Sequence, residues 1–169
     1  MAEPHRPLPT ALIMPANVRG GQVISLVEVA GTIGGKVDVP MLADELGADI
    51  AVLLPILDAA EMLGLVRTEK GDVHLTEMGH KFQKTSKEKL KMLKDRIATI
   101  EPFRTALEMA SRGKPITASQ VAESLSEMGL KWHYQPEINE SLIRTLLIHW
   151  AIYAGLLKYD GRSGKFTRA

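Results

Sequence analysis

Cysteine is absent from this chain of 169 residues. Its absence excludes disulfide bonds, zinc sites built on thiolates and cysteine nucleophiles. No apolar run reaches the roughly 18 residues that a membrane-spanning helix needs. The first residues combine charges and prolines with no apolar stretch behind them, so we expect no secretory signal. Together these features predict a cytoplasmic protein without a membrane span.

A strong excess of charge of either sign is also missing. Lys and Arg number 21 and Asp and Glu number 20, which gives a formal net charge of +1. The charge of the whole chain therefore does not indicate a polyanionic partner. Apolar residues make up 45% of the sequence, which is enough to fill two modest cores.

Motifs for catalysis are missing as well. Gly34-Gly35-Lys36 is similar to the end of a phosphate-binding loop, but Ala30 stands where the first glycine belongs and Val37 where Ser or Thr belongs. His74 and His80 do not form a zinc motif, and no nucleophile lies beside a base. We therefore predict a protein that is not an enzyme and has no catalytic, cofactor-binding or metal-binding residues.

One order of elements occurs twice along the chain. Within residues 42–76 a short helix ends at Gly47, a second helix ends at Gly64, and a β-hairpin follows. Within residues 117–167 a helix ends at Gly129, a longer helix follows, and a second hairpin closes the chain. Helix, helix and hairpin is the order of a winged helix. The predicted fold class is mainly α with small β-hairpins (α+β), built as tandem winged-helix-like units joined by a helical linker.

Breaks in the apolar periodicity predict four segments. They are an extended N-terminal arm (1–20), a first winged-helix-like unit (21–85), a basic linker helix (86–100) and a second winged-helix-like unit (101–169). Asp38 is expected to cap one helix, and Thr117 with Gln120 to form a capping box for another. Pro55 predicts either a late start or a kink in the helix over 50–63. The longest helix is expected over 136–154.

The charge of the first unit argues against DNA recognition by its helix pair. A DNA-reading helix supplies Lys and Arg to phosphates and base edges. Residues 37–66 contain no Lys or Arg and have a net charge near −6. The acidic residues of this stretch are Asp38, Asp44, Glu45, Asp49, Asp58 and Glu61.

Basic residues cluster in two other places. The second hairpin carries Lys158, Arg162, Lys165 and Arg168, and the linker carries several lysines that include Lys87, Lys91 and Lys94. Solvated surface is one interpretation of both clusters. Contact with DNA, with an acidic protein surface or with anionic lipid is the other.

Several blocks of the sequence resemble the C-terminal "AAA-associated" domain family. They are Leu54-Pro55, residues 59–66, residues 71–79 and residues 150–154, and the similarity extends from about Val18 to Phe166. That family occurs attached to, or beside, ATP-binding subunits of nitrate/sulfonate/taurine-type ABC transporters. The resemblance therefore implies a non-catalytic accessory or regulatory domain. This chain departs from the family in lacking a Walker motif, and in having Ile152 where an Arg often precedes the late aromatic residue.

Two main functional hypotheses follow. The first is a non-catalytic accessory or regulatory protein that binds an ABC-type ATPase through an acidic face formed by Asp44, Glu45, Asp49, Asp58 and Glu61. The alternative is a winged-helix transcription regulator that binds DNA through Lys87, Lys91, Lys94, Lys158, Arg162, Lys165 and Arg168. A third hypothesis is a small-molecule sensor with its ligand near Trp132, Tyr134 and Trp150. Homodimerisation and peripheral contact with a membrane are left open.

Overall fold

The computed structural model describes residues 12–85, 89–111 and 113–169. In these ranges the helices are α1 (Gly20–Thr32), α2 (Val39–Leu46), α3 (Ile50–Met62), α4 (Glu77–Lys84), α5 (Lys89–Met92), α6 (Lys94–Ile97), α7 (Phe103–Ala110), α8 (Ala118–Glu127) and α9 (Pro136–Leu146). The strands are β1 (Lys36–Asp38), β2 (Val66–Glu69), β3 (Asp72–Leu75), β4 (Ile116–Thr117), β5 (Leu157–Asp160) and β6 (Lys165–Arg168). Helices predominate and the sheets are small and antiparallel, which confirms the predicted mainly α class with small β-hairpins.

The same element order and the same sheet topology occur in both halves. In the first half, α1, β1, α2 and α3 precede the β2–β3 hairpin, and β1 pairs with β3 to give the sheet order β1-β3-β2. In the second half, α7, β4, α8 and α9 precede the β5–β6 hairpin, and the sheet order is β4-β6-β5. The short strands β1 and β4 add a third strand to each predicted hairpin.

The predicted local signals are present where the helices begin and end. Asp38 accepts a hydrogen bond from the Met41 N–H at 2.7 Å at the start of α2. Gly47 ends that helix with φ of 63°, in the left-handed region that glycine adopts without steric cost. Thr117 and Gln120 form the capping box at the start of α8.

Three helical segments differ from their predicted form. Pro55 lies inside α3, which runs without interruption over Ile50–Met62. The longest predicted helix is α-helical only to Leu146 and continues as a π-helical segment over Leu147–Ile152. In the linker, α5 and α6 are two short helices in place of one continuous helix. The boundaries proposed between arm, units and linker stay predictions.

One family-like block has a clear structural role. Thr76 caps α4 by accepting from the Gly79 N–H at 3.0 Å, and its hydroxyl donates to the Gly64 carbonyl. A Cβ at position 79 would collide with the Leu65 carbonyl oxygen. Only glycine allows this close approach. Thr76 and Gly79 therefore hold α4 against Gly64 and Leu65, at the start of the β2–β3 hairpin.

The segment before α1 is held by the second half of the chain. Met14 and Val18 are buried, and their carbonyl oxygens accept hydrogen bonds from the indoles of Trp132 (2.7 Å) and Trp150 (2.9 Å). Glu101 adds two backbone hydrogen bonds, from its N–H to the Leu12 carbonyl and from the Met14 N–H to its own carbonyl. Hydrogen bonds therefore hold the described part of the predicted arm, from residue 12 onward, against the second half. Residues 1–11 lie outside the described residues.

The buried side chains form one continuous apolar cluster that includes residues of both halves. Trp150 is fully buried and lies 6.4 Å from Phe103, measured between ring centroids. No helix among the described residues has the length and apolar character to cross a membrane.

Replacement of Trp150 by Phe tests the hydrogen bond from Trp150 to the Val18 carbonyl, which joins the second half to the segment before α1. Phe keeps most of the apolar volume but leaves the buried Val18 carbonyl without its donor. We expect Trp150→Phe to lower the free energy of unfolding by about 1–3 kcal/mol in urea titrations. Trp132→Phe removes the other indole hydrogen bond and serves for comparison, since Trp132 is only half-buried and its loss should cost less. Equal losses for the two variants would contradict this assignment.

Candidate functional site

The five acidic residues predicted to contact a partner are exposed and lie on α2, on α3 or directly before α3. Asp44 and Glu45 are exposed on α2, and Asp49 precedes α3. Asp58 and Glu61 lie on α3 and are also exposed. The structure thus places all five predicted residues at the surface of one helix pair.

Glu61 differs from the other four because it is already engaged. Its Oε1 accepts from the Thr68 N–H at 3.0 Å and from the Thr68 hydroxyl at 2.9 Å, which joins α3 to β2. Asp44, Glu45, Asp49 and Asp58 form no side-chain hydrogen bond or ion pair with another described residue. These four carboxylates are therefore available to a partner, whereas Glu61 has a structural role.

Large apolar side chains are exposed beside these carboxylates. Met41 on α2 is 49% exposed, and Ile50 and Leu54 on α3 are 45% and 46% exposed. Ile50, Leu54 and Asp58 follow each other at intervals of four residues, so they share one side of the helix. We call the surface formed by Met41, Asp44, Glu45, Ile50, Leu54 and Asp58 the α2–α3 face.

Sequence analysis had identified the charges of this face but not its apolar residues. The sequence contained a signal for these exposed apolar residues, because α3 has more apolar residues than its buried side can hold. Leu53, Ile56, Leu57, Ala59 and Ala60 already fill that side. Exposed apolar residues that lie together at a surface mark contact sites more often than isolated ones do.

The basic hairpin of the DNA hypothesis is not a uniform positive surface. Lys158 and Lys165 share one side of the hairpin with Asp160, which pairs directly with Lys165 in the β5–β6 register. Hydrogen bonds from the Ser163 hydroxyl and the Arg162 N–H lower the pKa of Asp160, so this carboxylate is ionised at neutral pH. Arg168 lies on the other side of the hairpin and donates to the Leu107 carbonyl at 2.9 Å.

The basic residues of the linker are spread over two helices. Lys91 lies on α5, with its side chain near Gly155, and Lys94 lies on α6. Both are exposed, whereas Lys87 lies outside the described residues. Arg168 is therefore on the opposite side of the hairpin from Lys158 and Lys165. The linker residues Lys91 and Lys94 lie on two different helices.

A groove of about 610 Å³ lies where the two halves meet. One wall comes from the start of α1, a second from α3 and the α2–α3 connection, and a third from Leu90 of α5 with His149 and Tyr153. Its apolar lining residues are Leu46, Ala48, Val52, Leu53, Ile56 and Leu90. Val52 and Ile56 are on a different side of α3 from Leu54 and Asp58, so the groove is distinct from the α2–α3 face.

The groove does not contain the aromatic residues of the ligand hypothesis. Trp150 is buried and Trp132 binds the Met14 carbonyl, so both hold the segment before α1. Tyr134 is exposed and stacks on His133 at 4.6 Å between ring centroids. Within the described ranges, no group of three or more His, Asp and Glu side chains is arranged to hold a metal ion.

Comparison with known proteins finds one family. The family model described as C-terminal AAA-associated domain matches residues 40–160. The matched range includes α2, α3 and most of the second half. No curated protein and no solved structure matches the chain.

Two adjacent glycines provide a test of the groove. A Cβ at position 20 would lie 2.8 Å from Leu90 Cδ1, whereas a Cβ at position 21 would meet nothing within 4 Å. We expect Gly20→Ala to lower the free energy of unfolding by about 1 kcal/mol, since Leu90 must move. Gly21→Ala should leave stability unchanged or raise it by up to about 1 kcal/mol. Urea unfolding of both variants measures the difference, and equal effects would show that Leu90 does not contact α1 in this way.

Proposed function

The chain belongs to the C-terminal AAA-associated domain family, and from this membership we propose that it is a non-catalytic accessory domain that binds an ABC-type ATPase by protein–protein contact. We propose further that the contact is made by the α2–α3 face and that the protein acts on the cytoplasmic side of a transporter.

The observation that supports this proposal most directly is the combination of exposed apolar and unpaired acidic side chains on one helix pair. Ile50 and Leu54 supply apolar area that a partner would remove from water. Asp44 and Glu45 on α2 and Asp58 on α3 add exposed negative charge to the same helix pair. Apolar residues at the centre of a contact and charges at its rim are the usual arrangement of a protein interface. The complementary partner surface is apolar with a basic rim.

The same surface is poorly suited to nucleic acid. In a winged-helix arrangement α3 would be the helix that enters the major groove. Its exposed side offers Leu54 and Asp58 in place of Lys or Arg, so phosphates would be repelled. The DNA hypothesis then depends on Lys158 and Lys165, which share their side of the hairpin with Asp160, and on Arg162 and the exposed linker lysines Lys91 and Lys94.

A double substitution on the α2–α3 face tests the proposal. The tagged chain is used to capture proteins from gently solubilised native cells, and an ABC-type ATPase is identified by mass spectrometry. Leu54→Ser combined with Asp58→Lys removes one apolar contact and reverses one charge. We expect this variant to bind the purified ATPase at least about tenfold more weakly than the wild type, because both changes affect contacts at the same interface.

Glu127→Lys on α8 is the matched control, because it makes the same change of charge on an exposed residue of the second half. Its affinity for the ATPase should equal that of the wild type. Glu61 is left intact because its loss would loosen β2. Equal weakening by the control and the double variant would argue against the α2–α3 face. Capture of duplex DNA without an ATPase, lost when Lys158 and Lys165 are changed to Gln, would favour the alternative function.

A further inference from the structure

The groove between the two halves has the size and lining of a small-molecule site. Its volume of about 610 Å³ lies within the range of roughly 300–1,000 Å³ that is usual for ligand pockets. The walls are mainly aliphatic, and the polar side chains are few. They are Arg19, Gln22, Ser25, His149 and Tyr153. Such a site binds an apolar body and orients it through a small number of polar contacts.

The charge in the groove has one sign. Among the described residues that line it, none is Asp or Glu, and Arg19 is the basic residue that is always charged. Arg19 forms no ion pair with another described residue. Its hydrogen bonds there involve its backbone: the N–H donates to Gln22 Oε1 at 2.9 Å, and the carbonyl accepts from the N–H groups of Gln22 and Val23. The acidic α2–α3 face lies on another side of α3. A negatively charged ligand is therefore complementary to this groove.

The third wall of the groove is an irregular helix. Residues Leu147–Ile152 form a π-helical segment that contains His149 and is followed directly by Tyr153. Both residues line the groove, and Tyr153 is 64% exposed. Short π-helical segments are rare and occur frequently at functional sites. In this chain the irregular segment contributes His149 to the lining of the groove.

We propose that this groove binds a small organic anion with an apolar body, of the class of medium-chain or aryl monocarboxylates. The guanidinium of Arg19 binds the carboxylate. The apolar body lies against Val52, Ile56 and Leu90, and His149 and Tyr153 close its open side. This site is separate from the proposed ATPase contact and does not depend on it.

The test uses decanoate, with decylamine and decan-1-ol as probes of the same chain length but different charge. Isothermal titration calorimetry with the full chain measures affinity, and amide chemical shifts locate the site. We expect decanoate to bind more tightly than decan-1-ol, and decylamine to bind most weakly. Shift changes should concentrate at residues 19–25, at Ala48 and Val52, and at 149–153.

Substitutions separate the polar and apolar contributions. Arg19→Gln should weaken decanoate binding by about fivefold or more but leave decan-1-ol binding unchanged, because only the charged contact is lost. Gly21 lines the groove, and a Cβ at this position meets no atom within 4 Å. A phenylalanine side chain should therefore occupy the groove, so we expect Gly21→Phe to abolish binding of both probes. Ser25→Phe, at an exposed position of α1, serves as the second blocking variant if Gly21→Phe does not fold. Arg162→Gln is the control for loss of a surface arginine and should bind like the wild type.

Three results of the binding measurements would overturn the proposal. They are decylamine binding as tightly as decanoate, decanoate binding that persists in the folded blocking variants, and no decanoate binding by the wild type. Sedimentation with phosphatidylglycerol vesicles that is blocked by Gly21→Phe would assign the groove to a membrane lipid and would also overturn binding of a free anion.

Discussion

Two hydrogen bonds from indole groups to backbone carbonyls hold the arrangement of this molecule. Trp150 donates to the Val18 carbonyl and Trp132 donates to the Met14 carbonyl, so the segment before α1 lies along the second half. A buried carbonyl without a donor is costly, and these bonds therefore fix where the segment runs. The position of the groove depends on this placement, since Arg19 and Gly20 follow Val18 directly.

The linker provides the other connection between the halves. Lys89, whose side chain is only 14% exposed, pairs with Glu28 of α1 at 3.2 Å and lies 5.2 Å from the centre of the Phe82 ring. The next residue, Leu90, packs close to Gly20. At the other end of the linker, Arg96 donates to the Met62 carbonyl at the end of α3. The linker is thus packed against the first half and supplies one wall of the groove.

Helix α3 borders three environments, namely the core, the groove and the solvent, and this explains its unusual composition. The buried side belongs to the core, and its residues Leu53 and Ile56 also border the groove, which the exposed Val52 lines as well; another side exposes Leu54 and Asp58. A helix with two apolar sides has little room for Lys or Arg. The lack of basic residues in this helix, which argues against DNA recognition, and its exposed apolar residues therefore have the same structural basis.

Local signals in the sequence determined the elements, because capping and turn formation involve neighbouring residues. Asp38, Gly47 and the Thr117–Gln120 box act over three or four positions, and their roles could be predicted without tertiary information. The fold class could be predicted from the order of helices and hairpins, and the family from short motifs such as Thr76–Gly79, whose contacts with Gly64 and Leu65 form only in the folded chain. The acidic residues of the α2–α3 face were also identified, because charge in a helix with a known buried side must be exposed.

Only the tertiary structure decided the features that join distant residues. Val18 and Trp150 are far apart in sequence, and nothing in either neighbourhood indicates that an indole will bind that carbonyl. The change from α-helix to π-helix after Leu146 likewise has no local signal, and neither has the meeting of Gly20 with Leu90. The groove is formed by residues from four separate segments, so it exists only once the two halves pack together. The sequence alone therefore determined most helices, both hairpins and the charged face, whereas long-range packing added β1 and β4 to the sheets and created the groove.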